Sequence, residues 1–130
     1  MILVDTSIWV DHLRAGDPEL QRQLEAGNVL GHPWVIGELA LGHLRQREEV
    51  IGLLSSLPTA VVATPTELLG FIERNQLVGR GIGYVDVQLL AATRLTPDAR
   101  LWTRDKRLAD TATRLGLGCP GGRGRADSRP

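Results

Sequence analysis

Four acidic residues occupy positions from which their carboxylates could act together, and we name them the acidic quartet: Asp5, Glu38, Asp86 and Asp105. The first and last each follow a short apolar run typical of a buried strand. The third begins a segment that is apolar nearly all round, and the second lies in an otherwise apolar helical segment. Clustered carboxylates repel, and each then favours its protonated form. A divalent cation removes this conflict, and carboxylate and water ligands indicate magnesium or manganese rather than zinc.

Each member of the acidic quartet also fits a purely structural role when it is considered alone. Asp5, Asp86 and Asp105 each stand where an N-terminal helix cap would stand, and aspartate is a common cap. Glu38 could form an ion pair with Arg45 or with another arginine. The structural roles explain less when the four are taken together, because strand ends and helix starts meet at one edge of a parallel sheet.

Apolar runs of strand length alternate with helical patterns along the chain. The predicted strands span residues 1–4, 28–33, 60–64, 101–102 and, more weakly, 117–119, with helices between them. This alternation predicts an α/β fold with a doubly wound parallel sheet of four to five strands. Such a sheet places residues that follow its strands at the edge where ligands bind.

Length and composition indicate a single domain, which we expect to span residues 1–119 of the 130-residue chain. Residues 120–130 lack apolar side chains and are predicted to be a disordered tail. A single cysteine, Cys119, suits a reducing cytoplasmic setting. We expect no signal peptide and no membrane span, because the sequence shows neither a basic segment before an apolar one nor an apolar stretch of sufficient length. The net charge of zero does not by itself indicate nucleic acid.

Four motifs, in this order and spacing, give the chain a specific resemblance to a known family. They are LVDTSIW, WVIGELALG, GIGYVDVQLLAA and LWTRDKRL, at residues 3–9, 34–42, 81–92 and 101–108. With them the chain resembles the PIN-domain ribonucleases, most closely the VapC toxins of type II toxin–antitoxin pairs. The resemblance covers the chain to about Cys119 and leaves the tail outside it. It implies a three-layer α/β/α sandwich with strand order 3-2-1-4-5.

The resemblance also implies a chemistry, the magnesium-dependent hydrolysis of RNA phosphodiester bonds. The acidic quartet would hold one or two magnesium ions: Asp5 and Asp86 as direct ligands, Asp105 directly or through water. Glu38 would bind a second metal or act as the base that orients the attacking water. Three hydroxyl residues would line the same pocket, and the third of them would donate to a carboxylate or a phosphate oxygen: Thr6, Ser7 and Thr103.

Partners follow in part from the resemblance and in part from the residues. A small VapB-type antitoxin would place an arginine among the acids, and the chain would form a homodimer. Four basic residues flank the acidic quartet in sequence and could hold RNA phosphates, namely Arg80, Arg104, Lys106 and Arg107. For any one of them, a solvated position near a helix start is an equally good interpretation.

We expect most of the aromatic residues and histidines to be structural. Trp34, Tyr84 and Trp102 are predicted to lie in the core rather than to stack on bases, and the role of Trp9 stays open. The histidines show no ligand spacing and are interpreted as structural: His12, His32 and His43.

Two other functions share part of this pattern. One is a PIN fold that binds RNA or protein without turnover, which four intact acids make less favoured. The other is a receiver-type phosphoacceptor domain, which needs an adjacent acid pair after the first strand. Here Asp5 is followed by Thr6 and Ser7, and Lys106 lies beyond Asp105 rather than at a strand end.

Overall fold

A computed structural model describes residues 1–120 and shows an α/β fold around a parallel sheet. The strands are β1 (Ile2–Val4), β2 (Val29–Leu30) and β3 (Arg100–Trp102), in the order β2-β1-β3. The helices in these residues are α1 (Thr6–Ala15), α2 (Pro18–Glu25), α3 (Pro33–Ala40), α4 (Arg47–Ser56), α5 (Pro65–Arg74), α6 (Tyr84–Leu95) and α7 (Lys106–Arg114). All three strands point the same way, so the turns after them meet at one edge of the sheet.

The predicted strand count of four to five is wrong, because each outer position holds a single bridge instead of a strand. Thr59 bridges Gly31 beside β2, and Gly118 bridges Leu101 of β3. Beyond the first bridge the N–H of Val61 donates to the Thr96 hydroxyl at 2.9 Å and not to the sheet. Beyond the second bridge the chain reaches a proline, which has no N–H to donate. The central order of the prediction is confirmed by the three strands that form.

Side chains placed just before each helix explain where several of the helices begin. Asp17 accepts from the N–H of Leu20 at 3.0 Å and starts α2, with Pro18 in its first turn. His32 starts α3 in the same way, its Nδ1 accepting from the N–H of Trp34 at 3.1 Å. Burial lowers the pKa of His32 to about 4, so the ring is neutral at pH 7 and its nitrogen can accept. His32 is therefore structural, as the sequence predicted.

Helix α6 and the central strand form the middle of the core. Leu3 and Val4 of β1 and Leu89 and Leu90 of α6 are fully buried. Burial is continuous from Val87 to Thr93, which confirms that the apolar helix is an interior one. Within residues 1–120 no helix is both long and apolar enough to cross a membrane. The predicted disordered tail, apart from Pro120, lies outside the described residues.

Two of the predicted core aromatics are not in the core. Trp102 is buried as predicted, and Trp9 is also buried, but Trp34 is 40% exposed and Tyr84 is 49% exposed. The buried residues of α3 are Val35 and Leu39, one turn apart on the inner face. Trp34 precedes Val35, so it lies on the neighbouring face, which turns to the surface. Because α3 is apolar on nearly every side, its sequence does not show which face is buried and which is exposed.

Candidate functional site

Two members of the acidic quartet lie directly beyond neighbouring strands. Asp5 follows β1 and Asp105 follows β3 after two intervening residues, and β1 and β3 are paired in parallel. Each aspartate also starts a helix: Asp5 accepts from the N–H of Ser7 at 3.4 Å, and Asp105 from that of Leu108 at 3.0 Å. The cap interpretation of these two residues is thus confirmed, and both residues follow paired strands at the same edge of the sheet.

Asp5 is 7% exposed, and its hydrogen bonds are confined to one carboxylate oxygen. The hydroxyls of Ser7 and Thr103 both donate to Oδ2 at 2.7 Å. Within residues 1–120, Oδ1 accepts no hydrogen bond and the carboxylate has no ion pair. One oxygen therefore fixes the side chain, and the other keeps its lone pairs for a ligand.

Thr103 and Ser7 also hold the loop that carries Asp105. The N–H of Asp105 donates to the Thr103 hydroxyl at 3.0 Å, and the N–H of Arg104 donates to the Ser7 hydroxyl at 3.0 Å. Because both hydroxyls donate onward to Asp5, the two strand ends are fixed relative to each other. The predicted donation from Thr103 to a carboxylate is present.

Glu38 reaches the site from α3 and is held by Thr6. The Thr6 hydroxyl donates to Glu38 Oε1 at 2.5 Å, across 32 positions of sequence. Such a bond between a hydroxyl and a charged carboxylate is among the stronger hydrogen bonds in proteins. Thr6, Ser7 and Thr103 thus all bind members of the acidic quartet.

Asp86 is a member of the acidic quartet whose pKa is raised. Burial raises the pKa of Asp86, and the negative charges of Asp5, Asp105 and Glu38 raise it further. The N–H of Gly83, which donates to Asp86 Oδ2 at 3.1 Å, acts against this and lowers it. Ion pairs within residues 1–120 all lie outside the acidic quartet, so its charges are not compensated by these residues.

The acidic quartet has the oxygen ligands that a hard cation prefers, but its side chains are not arranged as a coordination shell. Residues 1–120 contain no group of three or more His, Cys, Asp or Glu side chains arranged to hold a metal ion. All four side chains nevertheless offer carboxylate oxygens, which are the donors that magnesium and manganese take. Mutual repulsion between uncompensated carboxylates favours a wider spacing when no cation is bound.

The four basic residues proposed to hold phosphates lie in different surroundings. Arg104 binds Asp11 at 2.7 Å and also Asp17, while Lys106 pairs with Asp110 at 3.3 Å. The remaining two donate to backbone carbonyl oxygens, Arg80 to Gln76 at 3.1 Å and Arg107 to Gly81 at 3.5 Å. Sequence reasoning gave no sign of the Arg104 ion pairs, because its partners lie 93 and 87 positions away.

We predict that Arg104 positions the Asp105 loop rather than binding RNA. Arg104 stands between Thr103 and Asp105, and two carboxylates on other elements hold its guanidinium. Arg104→Ala should lower kcat about tenfold, the smaller of the effects seen when partners of metal ligands are removed, with KM nearly unchanged. Initial rates over a range of RNA concentrations measure both constants.

A matched control for this prediction is Arg22→Ala on α2, since Arg22 is 66% exposed and its side chain pairs only with Glu19 in residues 1–120. That variant should keep the kcat of the wild type. A rise in KM for Arg104→Ala with kcat unchanged would show instead that Arg104 contacts the substrate.

Comparison with known proteins covers nearly the whole described chain. The family model for the PIN domain matches residues 2–114, a span that includes every member of the acidic quartet. Two relatives, both named Ribonuclease VapC32, come from Mycobacterium tuberculosis strains CDC 1551 / Oshkosh and ATCC 25618 / H37Rv. Each is 48% identical over 117 residues, which is 90% of this chain and 94% of the relative.

Proposed function

We propose that this chain, which belongs to the PIN-domain family, is a VapC-type ribonuclease toxin whose acidic quartet binds magnesium and cleaves RNA. One observation carries the proposal beyond family membership. Asp5 is 7% exposed with one carboxylate oxygen held by the hydroxyls of Ser7 and Thr103, and no cation of the described residues pairs with any member of the acidic quartet. A site that accumulates negative charge in this way is suited to a divalent cation and, through it, to a phosphate.

The contacts of the three aspartates suggest which of their oxygens bind the metal ion. Asp5 presents its free Oδ1, and Asp86 and Asp105 present the second and third carboxylates, so these three are the proposed metal ligands. When bound there, magnesium supplies positive charge to the phosphate and makes a water molecule more acidic. Manganese suits the same ligands.

Glu38 differs from the other three acids because it comes from the side of a helix. Its Oε1 is bound by Thr6, and Oε2 is left to orient an attacking water and take its proton, or to bind a second cation. Ser7 and Thr103 keep Asp5 in one orientation while charge develops on the phosphate. Arg80, Lys106 and Arg107, which are near members of the acidic quartet in sequence, remain proposed phosphate contacts.

Partners follow from this function and from the surface beside the site. A cleft of about 910 Å³ borders Thr6 and Glu38 and is also lined by Val10, Leu13 and Leu39. An antitoxin of the VapB type could lay an apolar segment there and place an arginine against the acidic quartet. We further propose that the protein forms a homodimer. Residues 1–119 form a single domain with three layers, and the protein acts in the cytoplasm, where its substrate RNA is found.

Cleavage of total RNA by the purified protein tests this function. We expect discrete fragments with magnesium and none with EDTA, because the carboxylates repel RNA when no cation is bound. Sequencing the fragment ends would identify the target. Absence of cleavage under both conditions, together with RNA binding, would favour a PIN fold that binds without turnover.

A further inference from the structure

Trp34 and Tyr84 form an exposed aromatic pair, which we call the aromatic platform. Their ring centroids are 5.7 Å apart with the planes at 69°, an edge-to-face contact. Trp34 is 40% exposed and Tyr84 is 49% exposed, although large aromatic side chains gain most from burial. The fold therefore leaves two rings in contact with each other and with solvent.

The aromatic platform lies at the same edge of the sheet as the acidic quartet. Trp34 is in the first turn of α3, which starts soon after β2 ends, and Tyr84 is the first residue of α6. The end of helix α6 leads into the start of β3. The start of α6 therefore lies near the other end of β3, which is the end that Asp105 follows. Both rings thus stand at helix starts on the edge where the strands end.

Each ring is also close in sequence to a proposed metal ligand on its own helix. Glu38 is one turn beyond Trp34, about 6 Å along the axis of α3, and shares its helix face. Asp86 is two residues beyond Tyr84, in the first turn of α6. Because the two rings are in contact, the helix starts that carry them lie side by side, and Glu38 and Asp86 follow on these same two helices.

Local contacts hold Trp34 in place. Its backbone N–H donates to the buried ring of His32 at 3.1 Å, and Pro33 precedes it with a fixed backbone angle, so the start of α3 is fixed. The ring itself rests against the ring of Tyr84, and each of the two therefore restricts the rotation of the other. Pre-organised aromatic surface of this kind suits the stacking of an unpaired base.

We propose that the aromatic platform binds an unpaired nucleobase of the RNA next to the cleaved phosphate. This inference rests on the proposed ribonuclease function and adds a subsite to it. Stacking is tolerant of base identity, since every base has a π-face, and it requires a single-stranded segment. The substrate is therefore an RNA that presents an unpaired base beside the cleavage position.

Fluorescence tests the binding step separately from cleavage. Of the three tryptophans, Trp9 and Trp102 are buried, so Trp34 provides the solvent-accessible signal. Adenosine 5′-monophosphate carries a base and a phosphate but no phosphodiester bond to cleave, and ribose 5-phosphate is its match without the base. With magnesium present, the nucleotide should quench the wild-type fluorescence, and the sugar phosphate should not. Trp34→Phe keeps an aromatic ring and removes that signal, so its fluorescence should not respond.

Steady-state cleavage tests the contribution of stacking to RNA recognition. Trp34→Leu and Tyr84→Leu should each raise KM about tenfold, within the range expected for loss of one stacked base. Trp34→Phe and Tyr84→Phe should stay near the wild type, and kcat should change little throughout. Leu69→Ala, which removes apolar surface from an exposed position on α5, is the control and should leave KM unchanged.

Three results would overturn the proposal that the aromatic platform binds a nucleobase. They are equal quenching by ribose 5-phosphate, an unchanged KM in Trp34→Leu, and a smaller species of Trp34→Leu in size-exclusion chromatography, which would assign the rings to an interface between two copies. If the wild type cleaves no RNA, the ribonuclease function fails, and the nucleotide titration still decides whether the rings bind a base.

Discussion

Asp5→Asn should lower the rate of RNA cleavage at least about 100-fold. A loss of about 100-fold is the most that is expected for a residue that only hydrogen-bonds to a metal ligand, and a direct ligand should matter more. Asparagine has nearly the same shape, and its carbonyl oxygen can accept from Ser7 and Thr103 as Oδ2 does now. The amide group that replaces Oδ1 cannot bind a cation. The variant therefore separates the charge of the residue from its structural contacts. Initial rates at saturating magnesium and RNA measure the loss.

Two further measurements show whether this loss comes from the metal. Thermal unfolding of Asp5→Asn without metal should resemble that of the wild type, because the helix cap and both hydroxyl contacts are kept. Calorimetric titration with magnesium should show weakened binding. Wild-type activity in the variant would rule out Asp5 as a ligand and point to a contaminating nuclease, and a large fall in melting temperature would assign the residue to folding.

Asp86→Asn should abolish cleavage and at the same time leave the metal-free protein equally stable or more stable at neutral pH. The pKa of Asp86 is raised above its ordinary value of 3.8, so its ionisation costs free energy in the folded state. Asparagine has no such cost, and its oxygen can still accept from the N–H of Gly83. Melting curves of the two proteins in EDTA compare these stabilities.

The pH dependence of this difference has a definite sign. A carboxyl with a raised pKa holds its proton longer in the folded state than in the unfolded state, so it favours folding only while protonated. Below the ordinary value of 3.8 the variant should have no advantage over the wild type. The difference in stability in favour of Asp86→Asn should grow as the pH rises above 3.8 and should become constant once Asp86 of the folded wild type is ionised. An advantage that instead grows toward acid pH would contradict the repulsion within the acidic quartet.

Magnesium should reverse this order of stability. A ligand that binds only the folded state stabilises it in proportion to the logarithm of its concentration over Kd. The melting temperature of the wild type should therefore rise with magnesium, and that of Asp86→Asn should rise less. No magnesium effect on the wild type would exclude a cation at the acidic quartet.

Glu67→Gln is a matched control for the role of Asp86 as a helix cap. Glu67 closes the start of α5 as Asp86 closes that of α6, its carboxylate accepting from the N–H of Thr64 at 2.8 Å. Glu67 is not part of the acidic quartet, so Glu67→Gln should bring no gain in stability and no loss of cleavage. An equal gain in both variants would show that the effect is general to caps.

The sequence by itself determined the local features of this protein. Helix starts follow from short-range hydrogen bonds such as that of Asp17, and the apolar pattern of residues 84–95 identified the interior helix. The positions of the acids relative to strand ends and helix starts were likewise readable, because neighbours in sequence decide them. The two outer strands were overpredicted for the same reason: their composition suits a strand, but a strand also needs a partner along its length.

Only the tertiary structure decided which side chains share an environment. Nothing near Arg104 in sequence indicates that Asp11 and Asp17 bind its guanidinium. Trp34 and Tyr84 lie in apolar segments, and their exposure depends on which faces of α3 and α6 other elements cover. The same applies to the acidic quartet, whose repulsion arises from four residues spread over 100 positions of the chain. Contacts between distant segments depend on how the elements pack, and no local pattern of residues encodes them.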